Sequence, residues 1–325
     1  MRAAWYDTQG PAREVLNVGS LPDPTPGPGE VRIRIAASGI NPGDIKKRQD
    51  AFGYGMPYPR VVPHSDGAGH VDVVGAGVAT YWIGRRVWCY GAQSYRAFGT
   101  AAEYTVVPAS QVVPLPDGVS FEQGACLGIP AITAHRCVHA AGPVEGRTVL
   151  VQGGAGAVGI CALHLSRRAG ATVIATVRAA ADEAVARSAG AHHIVQAGPG
   201  LVQQIHALAP RGVNHIVEVA FGANIAIDVE MLAVRGSVAT YATDADSPRI
   251  PFWPLLFKNV RVDFLGSDDF VPDDKAEAAR AVNEALVAGW AGMPIAERFS
   301  LEEIATAHER VEAPARHGRV IVLLD

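Results

Sequence analysis

The chain has 325 residues, of which 49% are hydrophobic and 18% charged, and its net charge is −4. This length exceeds that of most single domains and predicts two domains. The sequence contains no run of like charges suited to nucleic acid or an anionic membrane. It also lacks an apolar stretch of about 18 residues and the apolar core of a signal peptide. We therefore expect a cytoplasmic protein that acts on a small molecule.

The first third of the chain is rich in glycine and proline and contains short segments of alternating polarity. Strands are predicted over 30–36, 69–74, 86–90 and 101–107. Many short strands separated by turns are typical of a β-barrel. The proline-marked segment 108–117 closes this region, and Ser120 followed by Glu122 and Gln123 predicts the start of a helix.

The stretch 148–159 begins with a predicted buried strand, which runs directly into a glycine-rich turn and then into a helix that begins near residue 157. Three glycines of the turn follow at three-residue spacing. Such spacing permits a tight turn, close approach of the backbone to a pyrophosphate, and close packing of the helix on the sheet. The free N–H groups at the start of the helix would face the phosphates. The predicted cofactor loop consists of Gly153, Gly154, Ala155, Gly156, Ala157, Val158 and Gly159.

Strands and helices alternate after this turn. This alternation distinguishes a dinucleotide fold from a glycine-rich turn that simply ends a strand. The predicted helices span 159–169, 180–189, 201–208 and 224–232. The predicted strands that follow the first span 171–177, 192–195, 213–219, 236–241 and 260–265. Six strands in this pattern predict an α/β fold with a doubly wound parallel sheet of the Rossmann type.

The last part of the chain is predicted to form two helices, over 272–288 and 301–311, and a final strand over 319–324. The second helix has a capping box, because Ser300 precedes it and Glu303 follows three residues later. We expect the final strand to return to the first domain. The Rossmann domain, residues 118–289, would then be inserted in a discontinuous β-barrel domain of residues 1–117 and 290–325.

Three segments carry short motifs, in the order SGINPGD (38–44), PHSDGAG (63–69) and GIPAITA (128–134). They resemble the patterns S-G-[IVL]-N-P-x-D, P-G-x-D-x-A-G and G-[IL]-x-x-x-T-A of the medium-chain dehydrogenase/reductase superfamily, within it the zinc-free, zeta-crystallin-like quinone oxidoreductases. The glycine loop is similar to the family's H-[GA]-A-x-G-x-V-G, although Gln152 replaces the usual His and Gly153 the usual Ala. The resemblance covers nearly the whole chain and implies a GroES-like barrel and a homodimer.

The zinc alcohol dehydrogenases of the same superfamily differ from this chain at their metal ligands. They carry a Cys near the position of Asn41, a Gly-His-Glu where this chain has residues 64–66, and often four closely spaced structural cysteines. Zinc requires Cys, His or carboxylate ligands in tetrahedral geometry, and the four cysteines here show no such spacing. We therefore expect no metal. His64 replaces a family glycine, at a position where the backbone is expected to have positive φ.

The choice between NADH and NADPH depends on the end of the second Rossmann strand. NAD sites commonly place a carboxylate about 20 residues beyond the glycine loop to bind the ribose 2′-hydroxyl, whereas a nearby Arg accommodates the 2′-phosphate of NADP. Thr176 and Arg178 occupy this place, and no carboxylate does. A guanidinium can bind phosphate through two parallel hydrogen bonds. We predict NADPH, the alternative being that Arg178 is a solvated surface side chain.

Further cofactor contacts are expected beyond the carboxyl ends of the fifth and sixth strands, where cofactors bind in such sheets. The resemblance adds a threonine near the nicotinamide and an arginine in the sequence Gly-Arg-Val-Ile, similar to the family's terminal G-K-x-[IV]. A threonine in an apolar helix can instead bond its own backbone. These candidates are Thr133, Tyr241, Ala242, Gly266, Ser267 and Arg319.

Four residues are candidates for the reaction itself. The resemblance implies that Asn41 lies beside the nicotinamide, where its amide can donate to an oxygen that gains charge; it can alternatively cap a turn before a proline. Lys46 matches a lysine of plant-type enone and quinone reductases and could stabilise or protonate an enolate, or be a solvated side chain. Asp44 is expected to orient this segment, and Tyr58 to stack on a flat substrate or to pack its loop.

These features predict an NADPH-dependent quinone oxidoreductase that transfers a hydride without metal to a quinone or a similar electron-poor acceptor. A second interpretation is an enone, alkenal or enoyl-thioester reductase, since both reactions use the same hydride geometry. A third is a nucleotide-binding protein without turnover, because a fold does not determine function.

Overall fold

The computed structural model describes residues 1–313 and 318–324. Its strands are β1 (Arg2–Trp5), β2 (Asn17–Ser20), β3 (Glu30–Gly39), β4 (Asp66–Val74), β5 (Arg86–Cys89), β6 (Tyr104–Pro108), β7 (Val112–Pro114), β8 (Thr148–Val151), β9 (Thr172–Val177), β10 (His193–Gln196), β11 (Val213–Glu218), β12 (Leu232–Thr240), β13 (Arg261–Phe264), β14 (Ile295–Ser300) and β15 (Arg319–Leu323). Its α-helices are α1 (Ala12–Val15), α2 (Pro42–Arg48), α3 (Phe121–His139), α4 (Ala157–Arg168), α5 (Glu183–Ser188), α6 (Leu201–Leu208), α7 (Phe221–Met231), α8 (Phe252–Phe257), α9 (Pro272–Val287) and α10 (Ile304–Glu312).

The chain forms two compact units: unit 1 contains residues 1–130 with the described part of 271–325, and unit 2 contains residues 131–270. The predicted boundaries lay at 117/118 and 289/290, so the units divide the chain elsewhere. One reason is α9, which the sequence assigned to the Rossmann domain: its Asn283 accepts a hydrogen bond from Trp88 Nε1 at 3.1 Å and donates one to the Pro114 carbonyl at 2.8 Å. Residues 314–317 and 325, which the predicted barrel domain includes, lie outside the described residues.

Unit 2 contains the predicted Rossmann sheet. Its strands follow the order β10-β9-β8-β11-β12-β13, and every pair is parallel. This order is the one expected of a doubly wound dinucleotide fold, with β8, the strand that leads into the glycine loop, in the middle. Leu150, Ile174, Ile216 and Val238 on the strands form a buried core with apolar residues of α6 and α7. Both the fold class and the six strands are therefore confirmed.

Unit 1 contains the GroES-like domain. A seven-stranded sheet has the order β14-β15-β3-β4-β5-β7, with β6 paired to β3, and β1 pairs with β2 separately. The final strand β15 pairs antiparallel with β3, as predicted for a tail that returns to the first domain. Short elements such as β2, β7, β14 and α8 were not predicted, because three to six residues are too few for a hydrophobic period to be recognised.

No helix in the described part of the chain is both long and apolar enough to cross a membrane.

Candidate active site

The glycine loop of unit 2 has the geometry that a dinucleotide requires. Gly153 has φ +68°, a left-handed conformation that side chains disfavour. A Cβ on Gly159 would lie 2.3 Å from the Gly153 carbonyl oxygen, so only glycine permits this approach of helix and turn. Helix α4 begins at Ala157 with Gly156 as its N-cap, and no side chain caps its first N–H groups. An uncapped helix N-terminus is suited to bind phosphate, so these residues fit a dinucleotide.

A buried chain of hydrogen bonds holds this loop. The hydroxyl of Thr176, on β9, donates to Gln152 Oε1 at 2.6 Å and accepts from the backbone N–H of Gly153 at 3.1 Å. The Thr176 carbonyl accepts from the N–H of Gly154 at 2.8 Å. Since both Gln152 and Thr176 are buried, Thr176 supports the loop from beneath.

Arg178 follows β9 directly and is exposed. Strands β8 and β9 are parallel neighbours, so the glycine loop and Arg178 lie at the same edge of the sheet. Within residues 1–313 and 318–324, no carboxylate forms an ion pair with Arg178, which leaves its guanidinium accessible to a ligand.

The remaining cofactor candidates of unit 2 lie at two places. The ends of β12 and β13 surround a cavity of about 410 Å³ that Tyr241, Ala242 and Gly266 line together with Phe221 and Phe264. Ser267 follows Gly266 in a short 3-10 helix. Thr133 lies buried within α3.

Asn41 belongs to a buried polar cluster in unit 1. Its Nδ2 donates to Asp66 Oδ2 at 2.7 Å, and its Oδ1 accepts from an Arg319 guanidinium nitrogen at 2.9 Å. Asp66 Oδ1 also accepts from the backbone N–H of Ile129 at 2.9 Å, and Arg319 lies 4.0 Å from Asp66. Arg319 is thus engaged within unit 1. The three side chains neutralise and orient one another, which leaves one N–H of the Asn41 amide for a further acceptor.

Asp44 caps α2. Its Oδ2 accepts from the Asn41 backbone N–H at 2.7 Å. Burial raises the pKa of Asp44 to about 7, against the lowering effect of that hydrogen bond. Lys46, two residues later, is half-buried with Nζ 5.9 Å from the centre of the Phe52 ring.

Tyr58 links two loops of unit 1. Its hydroxyl donates to the carbonyl of Tyr95 at 2.6 Å. The ring is half-buried. Tyr58 therefore packs its loop, while stacking on a substrate stays a prediction.

His64 has φ +76°, the backbone conformation expected for a position where the family has glycine. Its imidazole is fully buried: Nδ1 lies 2.8 Å from Ser38 Oγ and Nε2 lies 2.9 Å from His308 Nε2. Arg48, also fully buried, donates to the other nitrogen of His308 at 3.3 Å and pairs with Glu312. Burial, with the nearby Arg319 charge second, lowers the pKa of His64 to about 3. The two histidines are therefore neutral near pH 7.

No set of three or more His, Cys, Asp or Glu side chains among the described residues is arranged to hold a metal ion. Asp66, which stands where the zinc enzymes have the Glu of their Gly-His-Glu, accepts hydrogen bonds from Asn41 and from the Ile129 backbone. His64 is bonded on both ring nitrogens. The absence of metal from the reaction stays a prediction.

Sequence reasoning missed a buried carboxyl pair beneath the glycine loop. Asp228 Oδ1 accepts from Gln152 Nε2 at 2.9 Å, and its side chain faces Glu218, at the end of β11. Both carboxyls are fully buried. The sequence did contain one signal for this pair: Glu218 ends a predicted buried strand, and a carboxylate there requires a partner.

The comparisons with known proteins agree with this architecture. Residues 27–117 match the family model of the alcohol dehydrogenase GroES-like domain, and residues 157–284 match that of the zinc-binding dehydrogenases. A quinone oxidoreductase of Rattus norvegicus is 28% identical over 93% of this chain and 91% of its own length, and one of Homo sapiens is 27% identical over 96% and 94%. A solved structure of a mycobacterial protein complexed with NADPH matches with a TM-score of 0.87 and 26% identity over all of both chains.

The fold and the glycine loop define an oxidoreductase that uses a nicotinamide cofactor. The chain belongs to the medium-chain dehydrogenase/reductase family and resembles its quinone oxidoreductases.

Proposed function

We propose that this protein is an NADPH-dependent quinone oxidoreductase. The observation that carries the proposal is the pairing of an uncapped glycine loop with Arg178 at the end of β9, where no carboxylate occurs. The mycobacterial structure that contains NADPH and the relatives named quinone oxidoreductase support it. The expected cytoplasmic location belongs to the same proposal.

Unit 2 binds the cofactor in this proposal. The loop from Gly153 to Gly159 receives the pyrophosphate at the start of α4, and Arg178 binds the 2′-phosphate through charge-assisted hydrogen bonds. The remaining contacts come from Thr133 on α3 and from four residues at the ends of β12 and β13. These four are Tyr241, Ala242, Gly266 and Ser267.

When bound, the reduced nicotinamide supplies a hydride. Unit 1 supplies the groups that act on the acceptor. Asn41 donates its free amide N–H to the oxygen that gains negative charge, with the amide oriented by Asp66 and Arg319. Asp44 fixes the start of α2 through the Asn41 backbone, and Tyr58 offers a flat surface to the acceptor ring.

A second candidate function is the reduction of a carbon–carbon double bond conjugated to a carbonyl. Lys46 favours it, because its ammonium is only half-buried and could protonate the enolate that hydride addition produces. A quinone that accepts a hydride requires less help, since its product is a stabilised phenolate.

Steady-state assays with two substrate panels test the acceptor. NADPH oxidation with quinones and not with enones, alkenals or enoyl thioesters is the expected result. Turnover of the second panel alone would favour the alternative function. Tight NADPH binding without turnover of either panel would leave only a nucleotide-binding protein.

The Arg178→Ala variant tests the preference for NADPH over NADH. Since a hydrogen bond to a charged group contributes about 1.5–3 kcal/mol, the KM for NADPH should rise about 10- to 100-fold, while that for NADH is unchanged. Arg187→Ala, on the exposed face of α5, is the matched control. An unchanged KM for NADPH in Arg178→Ala would refute this role.

We also propose a homodimer. Strand β13 ends the parallel sheet, and the neighbouring apolar side chains Phe252, Trp253, Phe257 and Phe264 are between 55% and 73% exposed. Exposed apolar patches and open sheet edges are commonly covered by a partner. Light scattering after gel filtration should give twice the 34.1 kDa chain mass, and a single-chain mass at micromolar concentration would contradict the dimer.

A further inference from the structure

The carboxyl pair of Glu218 and Asp228 lies beneath the loop that our proposed function assigns to the cofactor. Glu218 ends β11, and Asp228 lies on the facing side of α7, ten residues later. Both side chains are fully buried. Asn224 Nδ2 donates to Glu218 Oε1 at 3.0 Å, and the N–H of Ala220 donates to the same oxygen.

The other oxygens of the two carboxyls receive no donor. Among residues 1–313 and 318–324, neither Glu218 Oε2 nor Asp228 Oδ2 accepts a hydrogen bond from a separate donor group. The two carboxyls are instead direct electrostatic neighbours of each other. Two ionised carboxylates are acceptors only, so a proton is needed if each of these oxygens is to have a partner. One shared proton supplies it.

The surroundings keep the proton in place. Gln152, Asn224 and the Tyr241 phenol are the polar groups that face the pair, with Cys161 and Cys137 near Tyr241, and none of them is a cation. Burial, and then the charge of Glu218, raise the pKa of Asp228 well above its ordinary value. Ionising both groups would leave two adjacent negative charges without a counter-ion.

The pair is connected to the glycine loop by an unbroken chain of bonds. Gln152 Nε2 donates to Asp228, Gln152 Oε1 accepts from the Thr176 hydroxyl, and that hydroxyl accepts from the N–H of Gly153. Because an amide side chain is fixed only when both of its ends are bonded, Asp228 determines the position of Gln152. Gln152 in turn orients the Thr176 hydroxyl toward Gly153.

We propose that Glu218 and Asp228 are positioning residues that share one proton, and that the protonated pair holds the glycine loop, through Gln152 and Thr176, in the form that binds the cofactor pyrophosphate. Loss of the proton to solvent at alkaline pH separates the two carboxylates and releases Gln152. Cofactor affinity then falls. This inference rests on the proposed function, because it requires that the loop binds a nicotinamide dinucleotide.

Direct binding of NADPH and of NADH, followed by quenching of tryptophan fluorescence between pH 7.5 and 9.5, tests the proposal. The cofactor phosphates are already ionised in this range, since the second pKa of a phosphate monoester is about 6. The Kd of the wild type should rise about fivefold to tenfold for both cofactors, the size of effect expected when one positioning hydrogen bond is lost.

The variants Asp228→Asn and Glu218→Gln mimic a permanently protonated pair, because an amide can donate where the shared proton lay. In either variant the rise in Kd should be less than twofold. Asp263→Asn, on β13 two strands away from β11 and bonded to Arg261 instead, should keep the wild-type pH profile. Asp228→Ala should weaken binding at all pH values.

A pH-independent Kd in the wild type, or a wild-type profile in both amide variants, would overturn the inference while leaving the proposed function intact. Failure of the folded wild type to bind either cofactor at any pH would instead overturn the proposed function, and the inference with it. Binding of NADH alone would refute the cofactor choice, and the NADH profile would still decide the role of the pair.

Discussion

Each unit buries a polar cluster, and the two clusters are neutralised by different means. In unit 1 the carboxylate of Asp66 lies near the Arg319 guanidinium and accepts from Asn41. In unit 2 Asp228 faces a second carboxyl, Glu218. A cation therefore stands beside one carboxylate, whereas in our inference a shared proton neutralises the other pair. The same residue type must then respond in opposite ways to pH and to mutation.

The largest expected effect is common to both units and comes from buried histidines. Burial lowers the pKa of His64 to about 3 and those of His135 and His215 to about 4, and it holds the pKa of His308 well below its ordinary value. The unfolded chain protonates these groups below about pH 6.5. The native state does so only near its lowered pKa values, so stability is fully present above pH 6.5 and falls with pH below it.

Each of these histidines should cost about 1.4 kcal/mol of unfolding free energy per pH unit below about 6.5. Urea unfolding at pH 7.5, 6, 5.5 and 5, followed by circular dichroism, checks the slope. His193→Gln, which removes an exposed imidazole, should leave it unchanged. A flat dependence of the unfolding free energy on pH in this range would contradict the assignment of neutral buried histidines.

The next effect is expected only in the unit 1 cluster, because only that cluster contains a cation. Arg319→Met removes the cation beside Asp66, and leaving a buried carboxylate unpaired should cost about 3–5 kcal/mol of unfolding free energy. Arg298→Met, which breaks the half-exposed pair with Glu122, should cost less than about 1 kcal/mol. Urea unfolding at pH 7.5 measures both.

The double variant Arg319→Met with Asp66→Asn should recover part of the loss, because the unpaired charge is then gone. Equal losses in Arg319→Met and Arg298→Met would show that the Asp66 cluster does not depend on its cation.

A smaller effect is expected when a buried threonine is replaced by valine, a substitution that can be made in both units. Thr176→Val removes the hydroxyl between Gln152 and Gly153, and Thr100→Val removes the one between Ser38 and the Asp66 carbonyl. Each leaves buried polar groups unpaired and should cost about 1–3 kcal/mol of unfolding free energy. Only Thr176→Val should also raise the Kd for NADPH, because only that hydroxyl holds the glycine loop. Fluorescence titration of both folded variants decides this, and equal Kd changes would contradict the distinction.

The last prediction concerns the pH dependence of stability, which Asp228→Asn should reduce. The raised pKa of Asp228 means that the native state keeps a proton which the unfolded chain releases above about pH 4. Wild-type stability from this group therefore falls as pH rises, up to the folded pKa. The variant lacks this titration, so it should lose less unfolding free energy than the wild type between pH 7 and pH 9.5. Parallel urea curves at the two pH values would contradict this.

The sequence predicted those features that local patterns determine. The glycine spacing after β8 predicted the tight turn before α4, and the alternation of strands and helices predicted the six-stranded sheet, because neighbouring residues alone set both patterns. Even the positive φ of His64 followed from the glycine it replaces.

The clusters themselves could not be predicted. His64 and His308 are 244 positions apart, and Arg319 is 278 positions from Asn41. Glu218 and Asp228 are close in sequence, but their pairing depends on how α7 packs on the sheet. Contacts of this kind arise from tertiary structure, and a single sequence holds no local signal for them.

Thr176 has a consequence for protein engineering. Its hydroxyl and carbonyl both face the glycine loop, so a carboxylate introduced there to favour NADH would remove a support of the loop. The side chain of Arg178 is exposed and does not support the loop. A change of coenzyme preference in this chain should therefore begin at position 178 and leave position 176 untouched.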